Sequence, residues 1–207
     1  MDFNLPKSAV VNTFVPKQTF IKKIANGKAI FGKIEKIIWR YKLSPSTVNV
    51  QGTKKVEEIH IFSMSLKSWE IPAKALDEIK RLIPYPILFV FYYHDHVRYG
   101  ISLLEDKKYY FSEWDEEKEF EFSGTNLENI YQNIAKQFLK HIDTSASKET
   151  DFMQTLRIDK KIASIGKQIE VLQGKIRKEK QFNKKTEMNK QLKALKKEIE
   201  RLNKGES

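Results

Sequence analysis

ILFVFYYHDHVRYGISL, residues 87–103, is the stretch from which the rest of this chain can be read. Residues 87–93 are rich in β-branched and aromatic side chains and apolar on both faces, which predicts a strand in the middle of a sheet. His94, Asp95 and His96 supply turn chemistry. Val97, Tyr99, Ile101 and Leu103 then return on alternate positions, one face of a second strand. Glu105, Asp106, Lys107 and Lys108 form another polar turn, and residues 109–114 read as a third strand.

Working outward, residues 34–43 alternate Ile37, Trp39, Tyr41 and Leu43 with Lys36, Ile38, Arg40 and Lys42, predicting one apolar and one mostly basic face. Ser44-Pro45-Ser46 breaks that strand, residues 47–50 read as extended, Gly52 marks a turn, and residues 56–66 form a further strand. Trp69 to Pro72 lead into a helix with Ala75, Leu76, Ile79, Leu82 and Ile83 inward, stopped by Pro84 and Pro86. Near the N-terminus, Pro16 suits a helix entry, Phe20, Ile21 and Ile24 share a face, and Gly27 is placed to end the helix. Thr125-x-x-Glu128 reads as a capping box ahead of Leu127, Ile130, Tyr131, Ile134, Phe138 and Ile142 at core spacing. The expected class is α+β: a mostly antiparallel sheet with flanking helices, followed by a C-terminal antiparallel helical hairpin.

The hairpin rests on heptads. Ile158, Ile162, Ile165, Ile169, Leu172 and Ile176 recur at alternating spacings of four and three, and Met188, Leu192, Leu195, Ile199 and Leu202 do the same. The two runs do not share a frame, since extending the first reaches Lys180, Asn183 and Glu187. Two antiparallel helices with a turn near 179–184 resolve the mismatch, and a parallel dimeric rod with a stutter is the alternative. The predicted organisation is a globular domain over 1–145, a polar linker over 146–155 and an arm over 156–204.

Charge is divided unevenly. Residues 153–207 hold 16 Lys and Arg against 7 Asp and Glu, a net of +9, while residues 1–152 hold 22 against 20, a net of +2. Residues 1–152 also hold all the Trp, all the Tyr and every Phe except Phe182. Lys175, Arg177, Lys178, Lys180, Lys184 and Lys185 crowd the expected tip around Phe182, with Glu179 and Glu187 as the only acids nearby. Such a tip is either a solvated coiled-coil face or a contact for phosphates or an acidic partner. Phe182 has three readings: stacking on a base, anchoring in a partner's pocket, or folding back on the seam.

Catalytic chemistry finds little support. The chain has no cysteine, hence no disulfide, thiolate metal site or cysteine nucleophile. No phosphate-cradling glycine loop or nucleophile elbow is present. His94 and His96 alternate at a hairpin tip, with no third ligand indicated, so no metal site is assigned. His60, on a strand, and His141, near a helix end, read as structural. Residues 113–121 carry six acids and Lys118, a solvated loop or a patch masking the basic arm; a divergent metal-dependent nuclease using the carboxylates at 105–119, Asp106 and Glu113 among them, is a third, lower-ranked reading. No catalytic residue and no cofactor is expected. The N-terminus lacks the order of a signal peptide and the longest apolar run is too short to span a bilayer, so a cytoplasmic protein without membrane contact is expected.

Several stretches resemble a family of small bacterial proteins of unknown function: Asn4-Leu5-Pro6; Val15-Pro16-Lys17 with Phe20; the run from Ile34 through Trp39-Arg40-Tyr41-Lys42 to Pro45; Val56-Glu57-Glu58-Ile59; Ile83-Pro84-Tyr85-Pro86-Ile87-Leu88-Phe89; Ile101-Ser102; and Arg177 through Phe182 to Lys185. The resemblance covers nearly the whole chain, and none of its motifs is catalytic. It implies an accessory subunit in a restriction or phage-defence locus, because members of this family are often encoded beside a type III-like restriction helicase and a DNA methyltransferase. The expected function is therefore a non-enzymatic accessory protein whose basic arm contacts DNA or such a partner enzyme. The competing expectation is a coiled-coil assembly module, such as a homodimer, without nucleic-acid binding.

Overall fold

A computed structural model of the chain describes residues 3–105, 108–140 and 151–204. It divides into two units, Met1–Phe138 and Leu139–Ser207.

The first unit is built on one open sheet. Its strands lie in sequence order: β1 (Val10–Phe14), β2 (Ile34–Leu43), β3 (Ile59–Leu66), β4 (Ile87–Tyr93), β5 (His96–Ser102) and β6 (Tyr109–Phe111). Only β3 and β4 run parallel. A parallel pair needs a crossover, here through helix α4 (Ala73–Leu82). Pro72 precedes α4, and Pro84 and Pro86 follow it, so the helix lies between residues that cannot extend it. Its Ala75, Leu76 and Ile79 are buried with Ile37, Phe62, Met64, Phe89 and Phe91 of the sheet. The same cluster takes in Phe20 and Phe31, whose rings stack at 5.4 Å.

Tyr41, Ile61, Leu88 and Ile101 are successive cross-strand partners and share the other face. Aromatic residues pack there: Phe3 meets Tyr41 at 5.7 Å, and Phe120 meets Tyr99 at 5.1 Å and Phe138 at 5.8 Å. Helix α5 (Leu127–Lys136) buries Leu127, Ile130, Tyr131 and Ile134. The Tyr131 hydroxyl accepts from the Leu104 amide at 2.9 Å and donates to Glu105 Oε2 at 2.6 Å.

Several local expectations change. Trp39 pairs with Phe62 but Tyr41 pairs with Ile61, so Arg40 is an extra residue, a β-bulge. Such an insertion reverses every side chain beyond it. Ile37 and Trp39 therefore face α4 while Tyr41 and Leu43 face the opposite side, and the four do not form one apolar face. Residues 47–50 are not extended: helix α3 (Pro45–Val48) forms instead, with Pro45 at its first position and Ser44 and Thr47 as its capping box. The helix expected before Gly27 is two single turns, α1 (Gln18–Ile21) and α2 (Gly27–Ile30). Gly27 opens the second turn. It follows Asn26 at φ 57°, and a Cβ on it would lie 2.7 Å from the Ile21 carbonyl oxygen. The cap of α5 is Asn126, whose side chain accepts from the Asn129 amide at 2.8 Å; Glu128 instead bonds Thr53 and Lys55. Strand β1 carried no readable signal in the sequence. Ile142 and His141 lie outside the described residues, as does residue range 146–150 of the expected linker.

The second unit is the expected hairpin. Helix α6 (Phe152–Lys178) and helix α7 (Phe182–Asn203) are joined by residues 179–181. Ile162, Ile165 and Leu202 form a buried cluster between the two helices, flanked by Ile158, Ile169, Leu195 and Ile199; Phe152, Thr155, Leu156 and Asp159 of α6 are buried too. Lys161 and Glu198 pair across the helices at 2.8 Å. These contacts hold the two helices antiparallel along a shared apolar seam.

Candidate nucleic-acid interface

The tip of the hairpin forms where neither heptad frame can continue. The α6 cap, Glu179, turns to extended backbone at ψ 128°, and its Oε1 accepts from the Gln181 amide at 2.8 Å. Gln181 then caps α7, and Phe182 is its first residue. Phe182 is 81% exposed, so the fold-back reading is overturned: at the first helical position its side chain lies beyond the seam. Lys175, Arg177, Lys178, Lys180, Lys184 and Lys185 are all exposed around it. Glu179 is the one acid within that stretch, and its carboxylate is held by the loop backbone. The seven residues expected to form a contact surface are thus brought together on one tip. Ile165 is the buried seam residue nearest to it. At 1.5 Å per residue, Lys178 stands about 20 Å further along α6. A cationic knob at that reach can approach phosphates without carrying the rest of the hairpin against them, and an exposed ring can stack on a base.

One flank of the hairpin is open. A groove of about 710 Å³ runs beside Val171, Leu172 and Leu195, with Lys167 and Lys175 at its edges. Val171 is 60% exposed.

Two acids of the acidic stretch, Asp115 and Glu116, are engaged by neighbours within the first unit. Asp115, at φ 58°, takes the Val97 amide at 2.9 Å and lies 2.5 Å from His96 Nδ1. The hydrogen bond from His96, then that from Val97, hold its carboxyl below the ordinary value. Glu116 takes the Glu113 amide and the Lys118 ammonium, each at 2.7 Å. Among the described residues no three of His, Asp and Glu converge as a metal site. Asp106, one of the carboxylates of the nuclease reading, lies outside the described residues; Glu113 is exposed. His94 and Asp95 make the turn, with His94 at φ 51°, while His96 belongs to β5 and pairs with Tyr93. An aromatic cluster stands beside them: Trp69 meets Tyr93 at 5.0 Å, His96 at 4.7 Å and Trp114 at 4.9 Å.

A second concavity was not anticipated. A pocket of about 370 Å³ opens on the α4 face of the sheet, with Trp39, His60 and Phe62 on its floor and Lys23 and Tyr85 among its walls. His60 is buried, 5% exposed. Its Nε2 stands 3.2 Å from Glu58 Oε2, within ion-pair reach but outside hydrogen-bond geometry, and its Nδ1 has no partner. Burial lowers its pKa; the Glu58 charge opposes that shift and the Lys42 charge adds to it. In sequence, the only trace was a histidine two residues from Phe62 on a strand, a pattern shared by ordinary core positions.

The family model for a domain of unknown function, DUF4391, matches residues 3–199, and the chain belongs to that family. No curated protein and no solved structure matches the chain. No described helix is long and apolar enough to cross a membrane.

Proposed function

We propose that this DUF4391 protein is a non-enzymatic DNA-binding accessory protein whose basic hairpin tip contacts the phosphate backbone. One observation carries the reading: six exposed cations surround an exposed Phe182 at the far end of a hairpin whose apolar seam is buried only near its base. A solubilising surface would intersperse acids with the cations, and an isolated apolar ring serves solubility poorly. Phosphate contacts of this kind give affinity without base specificity. The resemblance to proteins encoded beside restriction helicases and methyltransferases supports a place in a restriction or phage-defence locus, with one of those enzymes as partner. A photo-crosslinking phenylalanine analogue at position 182, irradiated with a labelled duplex, tests the contact. A protein–DNA adduct competed away by unlabelled duplex supports it; no adduct, with DNA binding intact, places the contact elsewhere.

The open groove beside Val171 favours a second reading, in which the hairpin is an assembly module. Lys167 and Lys175 at its edges select an acidic amphipathic helix of a partner protein over a second copy of this +9 arm. Sedimentation of the full chain, alone and with its candidate enzyme partner, separates the two: partner binding lost in Val171→Glu while DNA binding persists would favour assembly.

A further inference from the structure

We infer that the pocket over Trp39, His60 and Phe62 is a binding site for an amino-bearing nucleobase, and this inference does not depend on the hairpin. Trp39 and Phe62 are cross-strand partners on β2 and β3 with ring planes 11° apart and centroids 6.0 Å apart, which lines the pocket with near-parallel aromatic rings. His60 adjoins them, tilted, with centroids 5.2 Å from Trp39 and 5.5 Å from Tyr85. A lining of rings suits a planar aromatic ligand, because every base presents a π-face. The volume of about 370 Å³ falls at the small end of ligand pockets, as a single base or nucleoside requires.

His60 sets the polar requirement. Burial keeps the imidazole neutral, so one ring nitrogen carries a proton and the other a lone pair. The carboxylate beside Nε2 can only accept, and Lys42 anchors that carboxylate at 2.7 Å from Glu58 Oε1. The proton therefore sits on Nε2, a tautomer assigned from its neighbours, and Nδ1 is left as a buried acceptor with no donor. A buried acceptor without a partner is an uncommon feature. The ligand that satisfies it offers an N–H at its edge, as the exocyclic amine of adenine or cytosine does. The third part is Lys23, exposed at the rim, where a phosphate attached to the base would lie in solvent. The base can arrive on a free nucleotide or as an unpaired residue of a nucleic-acid strand, and the chemistry at the pocket is the same.

The test uses the full chain and calorimetric titration with adenosine monophosphate, purine riboside monophosphate (which lacks the exocyclic amine) and ribose 5-phosphate. Adenosine monophosphate should bind about tenfold or more tightly than the purine riboside. Ribose 5-phosphate should not bind at millimolar concentration. His60→Phe keeps a ring and removes the acceptor, and should abolish that discrimination; the ligand series in the unmodified protein gives the same answer should the variant fail to fold. Single-stranded oligo(dA) distinguishes the sources. Micromolar saturation by the mononucleotide identifies a free nucleotide, whereas weak mononucleotide binding with His60-dependent oligonucleotide binding identifies an unpaired base. Equal binding of all three small ligands overturns the inference, as does binding of neither nucleotide nor oligonucleotide in a His60-dependent manner. Replacing the six tip cations by Gln should leave adenosine monophosphate binding unchanged, so failure of the hairpin reading and failure of this one are told apart.

Discussion

Adding one methyl group to Gly100 should destabilise the sheet. Gly100 on β5 pairs with Phe89 of β4 and Phe111 of β6, and the Phe91 ring lies close by. A Cβ there would stand 2.6 Å from Phe111 Cδ1, 2.7 Å from its Cε1 and 3.1 Å from Phe91 Cε2. Carbon atoms pack at about 3.5–4.0 Å, so the Phe111 ring must withdraw by about 1 Å. The Arg98 guanidinium lies over that ring, 5.3 Å from its centroid, and must move with it. Overpacking of this kind costs about 1–3 kcal/mol. Replacing glycine in a strand normally stabilises by about 0.5–1 kcal/mol, so Gly100→Ala should lose about 0.5–2 kcal/mol net. All three tryptophans lie in the first unit, so their fluorescence during urea denaturation reports on the sheet alone. With a slope of about 2 kcal/mol per molar urea, each 1 kcal/mol lowers the midpoint by about 0.5 M. Phe111→Ala removes the obstructing ring, so the pair should couple, the double variant being more stable than the sum of the singles predicts by about 1 kcal/mol. Gly100→Ala as stable as the parent, with no coupling to position 111, would refute the reasoning.

Other outcomes follow from the same structure. Ile37→Ala, at a fully buried position facing α4, should cost about 2–5 kcal/mol in the same denaturation assay. Phe182→Ala should leave the thermal midpoint unchanged, since the ring is 81% exposed, while weakening binding to single-stranded DNA by about 1–3 kcal/mol in an anisotropy titration. Asp115 titrates below its ordinary range because of His96 and the Val97 amide; the stability from those contacts is complete above that ordinary range and is lost as pH falls through the lowered value. Asp115→Asn should flatten this acid limb in a plot of thermal midpoint against pH. His60 is held neutral by burial, below its ordinary 6.5, so folding opposes its protonation and stability declines as pH falls from about that value; His60→Phe should remove the decline.

The sequence carried the parts of the fold that depend on period and breakers. The apolar run at β4, the return of β5, the Pro-bounded α4 and the two heptad frames were all legible because each encodes one interface at a fixed spacing. What escaped notice depends on single extra residues or on distant partners. The bulge at Arg40 leaves no mark in the alternation of β2, yet it sends Tyr41 to the face opposite Trp39. Strand β1 is mostly exposed, so it has little apolar pattern to read. Asn126 displaced Thr125 as the cap because Glu128 is drawn to Thr53 and Lys55, far away in sequence. At the hairpin, the tip cations were legible as a local charge cluster, whereas the exposure of Phe182 depended on where α7 begins. The His60 pocket combines residues from β2, β3 and the segments beside α1 and α4, a convergence that local spacing does not encode.

The reading of the tip is tested most directly by the salt dependence of DNA affinity. The logarithm of the association constant for a duplex is measured against the logarithm of salt concentration, for the full chain and for a variant with Lys175, Arg177, Lys178, Lys180, Lys184 and Lys185 changed to Gln. Each phosphate neutralised contributes about −0.9 to the slope, so the variant should lose up to about 5 of it, along with most of its affinity. A variant that binds duplex with the parent's slope and affinity would contradict the assignment of the hairpin tip as the phosphate contact.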